Sequence, residues 1–86
     1  MTFYTYIVEC KDGTLYTGWT VDLEARLAQH NSGKGAKYTS SRHPVILKAH
    51  WIFDTKSSAM QFEYKLKQLS RKEKLALIMT ADPQRT

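Results

Sequence analysis

With 86 residues, 42% of them hydrophobic and 24% charged, the chain has apolar surface for one small core and too little for two domains. A single cysteine, Cys10, excludes a disulfide framework and a thiolate zinc cluster. The start Met1-Thr2-Phe3-Tyr4 lacks a secretory pattern, and no run approaches a membrane span, so a cytoplasmic protein with no membrane association is expected.

The net charge of +5 is unevenly placed, because residues 1–29 carry two basic and four acidic side chains while the remainder carry eleven and four. The first third is therefore net −2 and the rest net +7. A basic surface of that origin points to a polyanionic partner, most simply nucleic acid. Solubilising charge is the plainer alternative.

Aromatic and β-branched residues from Phe3 to Cys10 predict a strand, and Leu15 to Trp19 repeats the pattern after Lys11-Asp12-Gly13. The two form a β-hairpin. A two-residue Asp12-Gly13 loop would place Tyr6 and Tyr16 on opposite faces, whereas a three-residue loop with Gly13 left-handed places both on one face. The three-residue loop is the expectation.

Thr20 can cap a first helix over 21–31, with Asp22 and Glu24 in its first turn and a stop at Asn31 to Gly33. Residues 33–42 read as a basic, flexible loop ended by Pro44, followed by a third strand from Val45 to Phe53. Ser57 or Ser58 can cap a second helix over 58–69, and Ser70-Arg71-Lys72-Glu73 is a capping box that starts a third over 71–80. The order is ββαβαα, an α+β domain over residues 1–81 with helices covering a small three-stranded antiparallel sheet, and 82–86 form a short polar tail.

On the first helix Leu23, Arg26, Leu27 and His30 share one stripe, so a cation and an imidazole face the sheet or its margin. Each has an ordinary alternative: Arg26 can snorkel from the core edge, and His30 can favour the helix C-terminal dipole. On the second helix Ala59, Phe62, Leu66 and Leu69 form the buried stripe, with Glu63 about 80° from its centre, at the flank. Glu63 and Lys67 also have the spacing of a surface ion pair. Gly18, inside the second strand, marks a bulge, close packing or the close approach of a ligand.

Taken in order, these residues resemble the GIY-YIG nuclease family over nearly the whole chain. Thr5-Tyr6-Ile7 stands where the family has its first signature, with Thr5 in place of the glycine, and Tyr16-Thr17-Gly18 matches the second. Arg26, His30 and Glu63 follow in the family's order. The Asp12-Gly13 turn, the segment Gly33-Lys34-Gly35-Ala36-Lys37-Tyr38-Thr39 and Glu63-Tyr64-Lys65-Leu66-Lys67 look like the small stand-alone bacterial, YhbQ-like members. The asparagine that often follows the family's metal-binding glutamate has no clear match.

The resemblance implies the GIY-YIG fold and phosphodiester hydrolysis with one divalent ion, magnesium above all and manganese as the substitute, with Glu63 as its protein ligand. It makes Tyr6, Tyr16, Arg26, His30 and Glu63 the catalytic set. Tyr16 is then the candidate general base, although a phenol of pKa about 10 is only about 0.1% ionised at pH 7, a deficit of about 4 kcal/mol. Arg26 would favour its phenolate and bind phosphate, His30 would relay the proton, and Tyr6 would hold the attacking water or a phosphate oxygen. Lys34, Lys37, Tyr38, Arg42, Lys65 and Lys67 are the candidates for tracking the nucleic-acid backbone, with DNA favoured over RNA and single-stranded or repair-type structures among the substrates. The rival reading is a nucleic-acid-binding module that kept the fold without the catalysis, and a protein-interaction domain explains the basic surface least well.

Overall fold

The hairpin is built as its loop chemistry requires. In this computed structural model, which describes residues 1–81, β1 is Phe3–Glu9 and β2 is Leu15–Thr20. The expected tail at 82–86 lies outside the described residues. The Gly13 N–H donates to the Cys10 carbonyl at 2.9 Å, and the Cys10 N–H donates to the Thr14 carbonyl at 2.8 Å. Gly13 has φ +85°, so the loop has three residues and the left-handed position falls on the residue without a Cβ. The Asp12 carboxylate stiffens it by accepting from the Thr14 hydroxyl at 2.6 Å and from the Thr14 N–H at 3.1 Å.

Register follows from that loop. Tyr6 stands opposite Gly18 and Val8 opposite Tyr16, so both tyrosines share a face, as expected. Helix α1 is Leu23–Asn31, and β3, Ile46–Phe53, pairs antiparallel with the other edge of β1 to give the sheet order β2-β1-β3. Helices α2, Lys56–Lys67, and α3, Arg71–Ala81, complete the predicted ββαβαα order.

The two faces of the sheet carry separate clusters. On one, Tyr6, Val8, Cys10 and Val45 are buried, with Leu23 and Leu27 of α1 packed against them. On the other, Ile7, Ala49, Leu66 and Ile78 are buried beneath α2 and α3, joined by Trp51, Phe62 and Leu69. Alternation along β1 assigns each residue to its face. No described helix is long and apolar enough to cross a membrane.

Several helix starts differ from expectation. Asp22, not Thr20, caps α1, because its carboxylate accepts from the Ala25 N–H at 3.0 Å while β2 runs on to Thr20. Thr20 instead accepts from the Asp22 N–H at 3.2 Å. Thr55, not Ser57 or Ser58, caps α2 by accepting from the Ser58 N–H at 3.1 Å, so that helix starts at Lys56 and ends at Lys67. The capping box on α3 is present: the Ser70 N–H donates to Glu73 Oε1 at 2.8 Å, and the Glu73 N–H to Ser70 Oγ at 3.2 Å.

Candidate active site

Tyr6 is the centre of the site, and Gly18 is what lets it lie there. The ring crosses the backbone of its cross-strand partner so closely that a Cβ on Gly18 would sit 2.5 Å from the Tyr6 hydroxyl and 2.8 Å from Cζ. The glycine is needed for close packing within the sheet. Tyr6 is 1% exposed, and its hydroxyl lies 2.8 Å from Nε2 of His30, which is fully buried. The helical stripe of Leu23, Arg26, Leu27 and His30 does turn to the sheet, with His30 the most deeply covered of the four.

The second ring nitrogen of His30 is also partnered. Nδ1 lies 2.6 Å from the Thr39 hydroxyl, and Thr39 in turn donates to the Ala36 carbonyl at 3.1 Å. Thr39 is fully buried, in the middle of the segment expected to be a flexible loop. That segment is instead a run of turns: the amides of Thr39, Ser40 and Arg42 donate to the carbonyls of Ala36, Lys37 and Thr39 at 3.0–3.3 Å. It closes on α1 at Gly35, where a Cβ would meet His30 Nδ1 at 2.5 Å and Cα at 2.9 Å. Thr39 and Gly35 were not among the sequence candidates. The signal for them is indirect: a buried imidazole has two nitrogens to satisfy, and β1 supplies only one partner.

Electrostatics follow from the burial. Desolvation pushes the Tyr6 phenol above its ordinary value, outweighing the neighbouring Arg26 guanidinium, which pulls it down; the Tyr16 and Glu63 side chains add to the rise. Burial, and after it the charge of Arg26, holds the His30 imidazole below its ordinary value, which favours the neutral ring. Arg26 also donates to Gln29 Oε1 at 2.9 Å on its own helix.

Tyr16 is the less buried phenol. Its ring meets His30 edge-on, with centroids 5.5 Å apart, and stacks on Tyr38 at 5.7 Å and 23°. The hydrogen bond to His30 belongs to Tyr6, while Tyr16 meets the imidazole through its ring. Arg42 is partly exposed and already partnered: Nε pairs with Asp12 at 3.0 Å, Nη1 donates to the Tyr38 carbonyl at 2.8 Å, and the guanidinium lies 4.2 Å from the Tyr38 ring centroid. It ties the hairpin turn to the turns at 36–42.

Glu63 approaches from α2, whose buried stripe includes Ala59 and Leu66. Its side chain is 18% exposed and pairs with Lys67 at 3.4 Å, so the surface-pair alternative is realised in part. Lys34, Lys37 and Lys65 are exposed. Among the described residues no three His, Cys, Asp or Glu side chains gather into a cation cage. The hard oxygens of a single partly covered carboxylate nevertheless fit magnesium, which keeps several waters and is completed by phosphate oxygens rather than by a protein cage.

The chain is similar to known proteins in sequence and fold. The family model described as the GIY-YIG catalytic domain matches residues 2–76. A UPF0213 protein of Staphylococcus haemolyticus is 56% identical over 87% of this chain and 92% of its own length. One from Halobacterium salinarum is 55% identical over 86% of this chain and 96% of its own. The solution structure of the UPF0213 protein from Bacillus halodurans superposes with a TM-score of 0.61 at 49% identity, covering 98% of this chain and 90% of that one.

Proposed function

Because this chain belongs to the GIY-YIG nuclease family, we propose that it is a metal-dependent endonuclease that hydrolyses phosphodiester bonds, with DNA as its substrate. One observation carries the reading. The buried Tyr6 hydroxyl is hydrogen-bonded to His30, and its phenol feels the charge of Arg26, which lowers its pKa, and of Tyr16 and Glu63, which raise it. A binding surface has no use for a buried phenol–imidazole pair beside a cation and a carboxylate.

In this reading Tyr16, on the solvent side, takes the proton of the attacking water as the new P–O bond forms and the bond to the leaving oxygen breaks. Tyr6 and His30 stand behind it. With its hydrogen committed to His30 Nε2, the Tyr6 oxygen is free to accept, so a proton entering from Tyr16 displaces one onto the imidazole. Arg26 binds the phosphate and offsets charge that develops on it. Glu63 would hold one divalent ion, magnesium or manganese, whose chemistry is Lewis-acid stabilisation of the leaving oxygen. Lys34, Lys37, Tyr38 and Lys65 would track the strand, while Lys67 contributes through its pair with Glu63.

The test is incubation of the purified chain with labelled single-stranded, duplex and branched DNA and RNA, in magnesium or EDTA, beside Glu63→Gln and Tyr16→Phe. Cleavage of a DNA substrate in magnesium alone is expected, with a loss of about 10²-fold or more in each variant. Equal cleavage by all three proteins would remove these residues from the site. Binding without cleavage on every substrate would favour the non-catalytic module.

A further inference from the structure

We infer that Thr39 is a positioning residue that holds His30 as the Nδ1–H tautomer, leaving Nε2 bare toward Tyr6. Tyr6, His30 and Thr39 are all at most 1% exposed, so each of their polar hydrogens needs an acceptor within the protein. Thr39 has one hydroxyl hydrogen and two neighbours, His30 Nδ1 at 2.6 Å and the Ala36 carbonyl at 3.1 Å. A carbonyl only accepts.

If the hydroxyl gives its hydrogen to Ala36, the contact to Nδ1 carries the ring N–H, and Nε2 accepts from Tyr6. Every hydrogen then has an acceptor. If instead Thr39 donates to Nδ1, the ring carries its hydrogen on Nε2, and the Tyr6 oxygen faces that N–H beside the guanidinium of Arg26, which offers donors only. The Tyr6 hydrogen is then left without a partner among the hydrogen bonds of the described residues. An unpaired buried donor is strongly disfavoured, and this selects the first arrangement.

The surrounding chain is shaped for the contact. Gly35 allows the turns at 36–42 to close directly on the imidazole, and the Thr39 amide donates to the same Ala36 carbonyl that receives the hydroxyl, at 3.1 Å. This matters for the proposed reaction, on which the catalytic part of the inference rests. The Nδ1–H tautomer directs the Tyr6 proton inward to His30; the other tautomer would reverse the hydrogen bond and close Nε2 to a proton.

The experiment is a long-range ¹H–¹⁵N correlation of the imidazoles in the ¹⁵N-labelled chain, above the pH at which His30 protonates. Wild type is expected to show a protonated Nδ1 and a bare Nε2 at His30, the reverse of the tautomer that free histidine favours. Thr39→Val, which keeps the shape and removes the hydroxyl, should move the ring toward Nε2–H, and Thr39→Ser should restore it. A wild-type ring with Nε2–H, or a Thr39→Val ring unchanged from wild type, overturns the inference. The wild-type spectrum decides the tautomer even if the valine variant fails to fold.

On a cleaved substrate, kcat should fall about 10²-fold in Thr39→Val at unchanged KM and recover in Thr39→Ser. Unchanged kcat with a shifted tautomer would overturn the catalytic part. The spectra read the tautomer whether or not the chain cleaves, so failure of the nuclease reading is seen separately, in the wild-type cleavage assay.

Discussion

The two faces of the sheet are buried to similar depth by different chemistry. Beneath α2 and α3 the contacts are mainly hydrocarbon, with Ile7, Ala49, Leu66 and Ile78 closing on one another; two buried threonines interrupt them, Thr5 donating to the Ala59 carbonyl at 2.7 Å and Thr17 with no hydrogen-bond partner among the described residues. Beneath α1 the deepest groups form a polar chain, from the Tyr6 hydroxyl through both nitrogens of His30 to Thr39 and the Ala36 carbonyl. Apolar burial stabilises in proportion to area and tolerates small adjustments. A buried polar chain needs every member in place and contributes a modest net amount to stability, so its presence in so small a core argues for a task other than folding. Glu63 rides on the helix of the apolar face, and its charge adds a small part to the rise of the Tyr6 phenol on the polar one.

That contrast can be tested from either side. Leu66→Ala should have the largest effect on stability, a loss of about 2–5 kcal/mol in urea unfolding, because the site lies between α2 and the sheet and cannot collapse freely. Gly35→Ala comes next, at about 1–3 kcal/mol, since its Cβ would press on the His30 backbone at 2.9 Å and rotation of a side chain cannot relieve that. Unlike Leu66→Ala, it should also disturb the His30 ring signals.

A smaller effect should separate the faces by pH. Burial keeps the folded-state pKa of His30 below the unfolded value of about 6.5, so between the two the unfolded chain holds a proton that the folded chain does not. Stability should therefore fall as pH drops through about 6.5 and level off below the folded-state value. Unfolding curves across that window should show the slope in wild type and its absence in His30→Gln. An unchanged slope in the variant would assign it to other groups.

The sequence carried the scaffold well, and for physical reasons. Loop length and the left-handed glycine settle the hairpin register, the 3.6-residue period brings Arg26 and His30 to the sheet, and the Ser70–Glu73 box is realised in both of its hydrogen bonds. The segment after α1 was less legible, because glycine, lysine and serine are the composition of a solvated loop. Its order comes from partners distant in sequence, with Thr39 held by His30 and Arg42 by Asp12, thirty residues away. The same limit separates Tyr6 from Tyr16: spacing places both on one face, and only the cross-strand glycine and the position of α1 decide which hydroxyl reaches the imidazole.

The most direct test of the division between the faces is to measure cleavage per folded molecule in Leu66→Ala and Glu63→Gln together, each with its unfolding free energy. Leu66→Ala should lose about 2–5 kcal/mol of stability and cleave at the wild-type rate once corrected for the folded fraction. Glu63→Gln should stay within about 1 kcal/mol of wild type, since it loses only a partly exposed ion pair with Lys67, and should cleave about 10²-fold or more slowly. Wild-type cleavage by folded Glu63→Gln would remove Glu63 from the chemistry.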